Sequence, residues 1–297
     1  MSSTQFTSQP PSVPNTLISF PSPHILLVTL NRPDALNAIP VPQHFALEKL
    51  WEWYDAEPSL RCAVLTGTGR AFCAGADLKE WDETNSSSSP SSTSNSGSEL
   101  ITPRERKTRF PPGGFGGMSN RGGLKPIIAA VNGVCFGGGM EMAVNADLVI
   151  ASDAAVFGLP EVTIGVIALA GALPRLVRSV GRQRAAEMAL GGRKRYGARE
   201  MLGWGLVNEV VDVGKGGNEV VVEAALKWAR TIAGNSPDAV IVTREGLKLG
   251  WEGVGPEQGT DLLLKGWFGR IEKGDNAVEG VKSFVERRKP VWKDSKL

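Results

Sequence analysis

Apolar residues in this chain fall either into short unbroken runs or into stripes at helical spacing, and the alternation between the two marks out its elements. Ile25 to Leu30 is a β-branched and leucine run that stops at a turn over Asn31 to Asp34, which predicts a buried strand. From Pro42 to Ala56, Phe45, Leu47, Leu50, Trp51 and Tyr54 recur near helical spacing, with Pro42 in the first turn, so an amphipathic helix is expected. Cys62 to Thr66 predicts the next strand, after which Gly67, Gly69 and Gly75 bend the chain; strand, helix, strand implies a crossover layer. Ile127 to Val131 predicts another strand, Gly137 to Gly139 open a helix running through Asn145, and Asp147 to Ala151 and Ala155 to Phe157 predict two further strands. Such repetition suggests an α/β spiral. Past Val211 the pattern becomes helical, over Val220 to Ala233, Pro237 to Trp251, Leu262 to Ile271 and Ala277 to Arg288.

These patterns divide the chain. Residues 1–14, rich in Ser, Thr, Gln and Pro, read as a flexible lead without a signal-peptide pattern. Residues 15–214 form the spiral core, 215–290 a helical region and 291–297 a tail. Within the core, residues 84–98 hold nothing apolar and are expected to be a disordered serine-rich insertion; Asn85-Ser86-Ser87 spells a glycosylation acceptor that means nothing without entry to the secretory route. Gly113 to Met118 has neither a Walker lysine nor G-x-G-x-x-G spacing, so it reads as a flexible turn beside a pocket.

Composition narrows the classes of partner. At 297 residues and 41% hydrophobic, the chain can bury a sizeable core. A net charge of +2 with acids and bases interspersed offers no field for nucleic acid or a membrane surface, and no apolar run approaches the roughly 18 residues of a bilayer span. Cys62, Cys73 and Cys135 show no metal-ligand spacing, so no metal is expected and a reducing interior is the plain reading. His24 and His44 are the only histidines and both lie near the N-terminus, which speaks against Ser-His-Asp hydrolysis. Ser295-Lys296-Leu297 spells the tripeptide that the peroxisomal import receptor reads at a free carboxyl terminus.

Two glutamates carry the chemistry. Glu141 stands in Gly137-Gly138-Gly139-Met140-Glu141-Met142 and Glu161 in Phe157-Gly158-Leu159-Pro160-Glu161-Val162, each an acid in apolar company. Such a carboxylate is costly unless it has work or a partner. Either alone has a bland explanation, since Glu141 could simply complement the positive end of the helix that the glycines open. Upstream, Ala74-Gly75-Ala76-Asp77-Leu78 is built of residues small enough to let a backbone N–H approach a ligand closely.

With these three motifs in this order, the chain resembles the crotonase family, the enoyl-CoA hydratase and isomerase superfamily, from about Leu27 to Trp292. The likeness is carried by Thr29 to Pro33, Ala35 to Ala38, Gly69 to Leu78, Ala130 to Gly133, the triple glycine and Phe284 to Arg288. It implies a spiral of repeated ββα turns with a C-terminal helical region that forms trimers, often paired into hexamers. It also implies an acyl-CoA thioester as substrate, so that coenzyme A arrives with the acyl group and no separate cofactor is needed. By resemblance, the N–H groups of Ala76 and Gly138 form an oxyanion hole for the thioester oxygen, Glu141 handles the water and Glu161 the α-carbon proton. Ala35, Ala38, Ala74, Asp77, Leu78, Gly137 and Pro160 are implied to contact substrate, with Phe284 and Arg287 supplied by a neighbouring subunit.

The reaction so implied is reversible syn addition of water to a 2-enoyl-CoA. A Δ3-Δ2-enoyl-CoA isomerase is the runner-up, although it can work with the acid at position 161 alone. Through Gly114 to Arg121 and Ala168 to Gly181 the chain further resembles fungal peroxisomal members, including dehydratases of mevalonyl-CoA that serve siderophore biosynthesis. One superfamily member binds RNA through a lysine-studded first helix, but here Lys49 stands against Glu48, Glu52, Asp55 and Glu57. Arg175, Arg178, Arg182 and Arg184 read as a solvated helical face.

Overall fold

A computed structural model of the chain describes residues 6–80, 110–214 and 216–297. Two sheets share the work of the core. The larger has six strands: β1 (Thr16–Ser22), β2 (Ile25–Leu30), β3 (Cys62–Gly67), β5 (Ile127–Val131), β7 (Leu148–Ser152) and β10 (Glu209–Val211), in that order across the sheet. The smaller holds β4 (Ala71–Cys73), β6 (Val134–Phe136), β8 (Val156–Gly158) and β9 (Tyr196–Gly197). Pairing is parallel from β2 to β10 and from β4 to β8, and only the edge strands β1 and β9 run antiparallel.

Three times the chain contributes a strand to the large sheet and, within a few residues, one to the small sheet, as β3 then β4, β5 then β6, and β7 then β8. The advance from turn to turn produces the spiral. Its strands are buried on both faces, which is why they read as unbroken apolar runs rather than alternating ones. The alternation survives inside the core: Cys62, Val64, Ile128, Ala130 and Ile150 face one way, while Ala63, Leu65, Ile127, Ala129 and Val131 face the other.

The helices cover these faces. Helix α1 (Val41–Ala56) buries Leu47, Leu50, Trp51 and Tyr54. Next come α2 (Gly138–Val144), α3 (Ala172–Val180), α4 (Arg182–Gly191) and α5 (Ala198–Trp204). Helix α6 (Asn218–Ala233) lays Val221, Ala225, Leu226, Ala229 and Ala233 on the outer face of the large sheet, positions one helical stripe supplies. It is followed by α7 (Pro237–Trp251), α8 (Pro256–Leu263) and α9 (Asp275–Val285). The expected helix from Leu262 to Ile271 is instead the end of α8, a π turn over Leu264–Phe268 and a short turn over Gly269–Ile271, because Pro256 starts the helix six residues sooner. Arg244 ties α7 to the sheet: its Nε donates to Asp147 Oδ1 at 2.7 Å and its Nη1 to the carbonyls of Gly122 and Gly123 at 2.7 and 2.8 Å. Among the described residues no helix is long and apolar enough to cross a membrane.

Two further expectations about the N-terminal half differ from the structure. Residues 6–14 are docked: Val13 is buried, Phe6 packs its ring against Phe20 and Trp53, and Thr7 donates through its N–H and its hydroxyl to Glu57 Oε2. Two apolar residues, Phe6 and Val13, were enough to find packing that composition averaged away. The glycine-rich turn is not loose either. Phe115–Gly117 is a buried 3-10 turn whose carbonyl at Gly116 accepts from Trp51 Nε1 and whose Gly116 N–H donates to His44 Nδ1. The serine-rich segment 84–98, with its Asn85 motif, lies outside the described residues.

Candidate active site

The triple glycine exists because three neighbours press on it. Position 137 has φ +54, and a Cβ there would lie 3.2 Å from Glu161 Oε1. At 138 a Cβ would meet the Phe115 ring at 2.3 Å, and at 139 it would meet the Cys73 carbonyl oxygen at 2.2 Å. Only hydrogen fits at each, so α2 starts deep inside the protein with Glu141 in its first turn.

Gly75 brings the second backbone segment alongside. It has φ +105, and a Cβ on it would stand 3.3 Å from Gly138 N and 3.7 Å from Gly137 Cα, so the two segments run in contact. The chain from Ala74 to Asp77 is held by residues 36–39: Ala74 N–H donates to Leu36 O, Ile39 N–H to Gly75 O and Asp77 N–H to Ile39 O. Gly75 breaks the extended course between Ala74 and Ala76, and because neighbouring N–H groups alternate, Ala76 N–H points opposite to that of Asp77, away from residues 36–39. Among the described residues neither Ala76 N–H nor Gly138 N–H donates a hydrogen bond. Two vacant backbone donors therefore sit on adjoining segments, one of them at a helix N-terminus.

Glu141 is 4% exposed, and its Oε1 accepts from Ala170 N–H at 2.9 Å and Ala172 N–H at 3.3 Å. Burial, reinforced by the charge of Glu161 and opposed by these N–H groups, pushes its carboxyl up to about 7. Glu161 opens a 3-10 turn, Glu161–Ile164, after β8, and burial pushes its carboxyl up as well. Its Oε2 is buried and has no hydrogen-bond partner among the described residues. Two acids raised by burial, Glu141 further by the charge of Glu161, stand beside two vacant donors and form a constellation able to move protons next to a carbonyl oxygen that gathers charge.

The other expected contacts separate into two groups. Asp77 Oδ2 lies 2.5 Å from Arg32 Nη1, which also reaches Ala38 O at 3.3 Å. Burial would raise the Asp77 carboxyl, but the hydrogen bond and charge of Arg32 hold it below the usual carboxylate range. Ala35 ends a short 3-10 turn, Pro33–Ala35, and buried Asn37 fixes the loop by accepting from Arg32 N–H and donating to the carbonyls of Thr68 and Ala71. Ala35, Ala38, Ala74 and Asp77 are thus on one braced edge, with Leu78 half exposed beside them and Pro160 next to Glu161. Phe284 and Arg287 are elsewhere: Phe284 is 85% exposed near the end of α9, and Arg287 follows that helix at φ +54. Among the described residues nothing brings them to the glutamates. Ser295, Lys296 and Leu297 lie against the C-terminal helices, with Ser295 Oγ donating to Asp238 Oδ1 and Lys296 Nζ 3.2 Å from Asp275.

Of the four arginines, Arg178, Arg182 and Arg184 are exposed, but Arg175 is not a solvated residue: Nη1 donates to Gly171 O and Asn120 Oδ1, and Nη2 reaches Glu252 Oε1. Phe115, Ser119 and the Ala168 to Ala172 loop complete the site, though their sequence assigned them no part in it. The signal available was an aromatic residue inside a glycine run, which is unusual for a solvated turn.

Comparison with known proteins fits this geometry. The profile of the enoyl-CoA hydratase/isomerase family matches residues 22–103 and 121–295. The mevalonyl-coenzyme A hydratase of Beauveria bassiana is 60% identical over 292 residues, 98% of this chain and 99% of that protein. Its namesake in Aspergillus fumigatus is 46% identical over 98% of this chain and 99% of that one. Among solved structures, an enoyl-CoA hydratase from Mycobacterium tuberculosis superposes with a TM-score of 0.78 at 31% identity, covering 95% of this chain and all of that one.

Proposed function

Starting from a chain that belongs to the enoyl-CoA hydratase/isomerase family, we propose that it interconverts a 3-hydroxyacyl-CoA and a 2-enoyl-CoA by loss or addition of water, with mevalonyl-CoA as the substrate to be dehydrated. The observation that carries the chemistry is the pair of acids, Glu141 buried and clamped by two N–H groups and Glu161 with a buried, unpartnered Oε2 against Gly137, beside the vacant N–H groups of Ala76 and Gly138.

The thioester oxygen is received by those two N–H groups. Negative charge that collects on it as the α-proton leaves is stabilised by fixed donors that need no reorganisation, and loss of one such donor costs about 3 to 4 kcal/mol in the transition state. Glu161, ionised, takes the α-proton; Glu141, protonated, gives a proton to the β-hydroxyl, which departs as water. Hydration is the same path reversed, with the proton starting on Glu161 and Glu141 accepting from the attacking water. Either direction needs one proton on the pair, and burial, which raises both acids, with the charge of Glu161 raising Glu141 further, favours that state near neutrality. An isomerase needs the acid at 161 alone, so the separate pair of N–H donors that holds Glu141 favours water chemistry.

The acyl group is proposed from the two fungal relatives, whose likeness spans nearly the whole chain. Mevalonyl carries a hydroxyl on its β-carbon, as the mechanism requires, and a second at the far end. We place the enzyme in the peroxisome on the strength of Ser295-Lys296-Leu297, and its product in siderophore acylation. Assembly as a homotrimer or hexamer would cover Val278, Val281, Phe284 and Val285 of α9, each at least 61% exposed, and would let Phe284 and Arg287 reach a neighbour's coenzyme A.

Purified protein given mevalonyl-CoA, crotonyl-CoA and longer enoyl-CoA thioesters tests the reading by mass spectrometry. A product lighter by one water from mevalonyl-CoA, formed with the highest kcat/KM of the panel, is expected. Turnover of crotonyl-CoA alone would overturn the substrate, and turnover of none would overturn the reaction.

A further inference from the structure

Glu141 is held by two N–H groups of the Ala168 to Ala172 loop, and one side chain holds that loop in turn. Ser119 is fully buried and its hydroxyl is used twice: Oγ donates to Ala170 O at 2.7 Å and accepts from Phe115 N–H at 2.7 Å. Ala170 is the residue whose N–H reaches Glu141 Oε1 at 2.9 Å. Phe115 is the residue whose ring leaves no room for a Cβ on Gly138. A single hydroxyl therefore joins the wall behind one oxyanion donor to the clamp on one carboxylate. Gly114 is cut to fit it, since a Cβ there would lie 2.4 Å from Ser119 Oγ and 2.7 Å from Ala170 O.

We propose that Ser119 is a positioning residue for this reaction, fixing the backbone at Ala170 so that its N–H points at Glu141 Oε1. The inference rests on the functional reading above. Both backbone groups of Ala170 are bonded, its N–H to Glu141 and its C=O to Ser119; they lie in successive peptide planes that meet at the Ala170 Cα, so holding the second plane restricts the torsions that aim the first. Its neighbour Gly171 is at φ +127, which glycine adopts without strain but does not itself prefer over other conformations, so the bonds on either side fix the shape of the loop. Arg175 supplies a second brace through Gly171 O, and Ala172 N–H a longer bond to the same Oε1, so the clamp should loosen rather than collapse when the hydroxyl is removed.

The test is a cycle of S119A, E141Q and the double variant. S119A is expected to lower kcat about 10- to 100-fold, the scale of a small misplacement near the reacting groups, with KM little changed. Loss of an N–H donor to the carboxylate should also carry the alkaline limb of the kcat/KM profile to higher pH. In the E141Q background the same substitution should cost less than about twofold, because residues that act as a unit are not additive. S119C, with a weaker donor, should fall between Ser and Ala. A loss that multiplies undiminished in E141Q, or an unmoved limb, would overturn the proposal, as would failure of both S119A and S119C to fold, which would assign Ser119 to folding. Wild-type activity in E141Q alone would instead remove the glutamate mechanism on which the proposal stands.

Discussion

The carboxylate of Glu161 lies against the backbone of Gly137, so close that one added carbon at 137 would stand 3.2 Å from Oε1. The two residues are twenty-four positions apart, yet the first turn of α2 can begin only where Glu161 permits it. Gly137→Ala would also force a side chain onto φ +54, at a cost of about 1 to 3 kcal/mol. A lower melting temperature together with a large fall in kcat is expected; a variant as active as the parent would separate the two residues functionally.

Substituting either acid by its amide keeps shape and removes proton transfer. Glu141→Gln and Glu161→Gln should each lower hydration and dehydration rates about 10²- to 10⁴-fold with melting temperature retained or raised, as both carboxyls are buried against their charged forms. Rates are to be read in both directions, since a residue serving only one direction would violate the reversibility of the path.

The reactive form holds one proton on the pair, so kcat/KM should be bell-shaped, with its alkaline limb near the value of about 7 for Glu141 and the same profile for hydration and dehydration. Different limbs in the two directions would mean that the pair does not share the proton.

Stability carries two opposed pH dependences. Glu141 is raised from 4.5 to about 7 on folding, so the folded state holds the extra proton and loses stability as pH rises through that window, about 3 kcal/mol in all. His44 runs the other way: burial lowers it from 6.5 to about 3, so its contribution is complete above 6.5 and disappears as pH falls toward 3. Between about 4.5 and 6.5 the two oppose each other. In Glu141→Gln the melting temperature should therefore climb more steeply over that range than in the parent, and a parallel pair of curves would contradict the assignment.

Arg244 is buried beside Asp147 and bonded to two loop carbonyls. Arg244→Met should destabilise the fold by roughly 3 kcal/mol, because Asp147 is left partly buried without its partner. Denaturant midpoints measure it, and the Asp147→Asn, Arg244→Met pair should recover part of the loss.

Much of the fold was legible because its signals are local. The run Ile25–Leu30 and the helix Pro237–Trp251 could be bounded to the residue, since burial on both faces writes an unbroken apolar stretch and Pro at N1 writes a start. Residues 6–14 and the Phe115 turn were misread for the opposite reason. Their composition is that of loops, and what orders them is a groove made by Phe20, Trp53, His44 and Trp51, which are distant in sequence.

The sequence by itself determined the acids and the small residues: two carboxyls in apolar surroundings and glycines wherever a backbone must come close, both properties of single positions and their nearest neighbours. Only the tertiary structure decided that Gly75 touches the start of α2, that Ala170 holds Glu141 and that Ser119 holds Ala170. A hydrogen bond between residues 51 apart depends on where two sheets bring the chain, and no local preference of a serine among glycines encodes the partner it will meet.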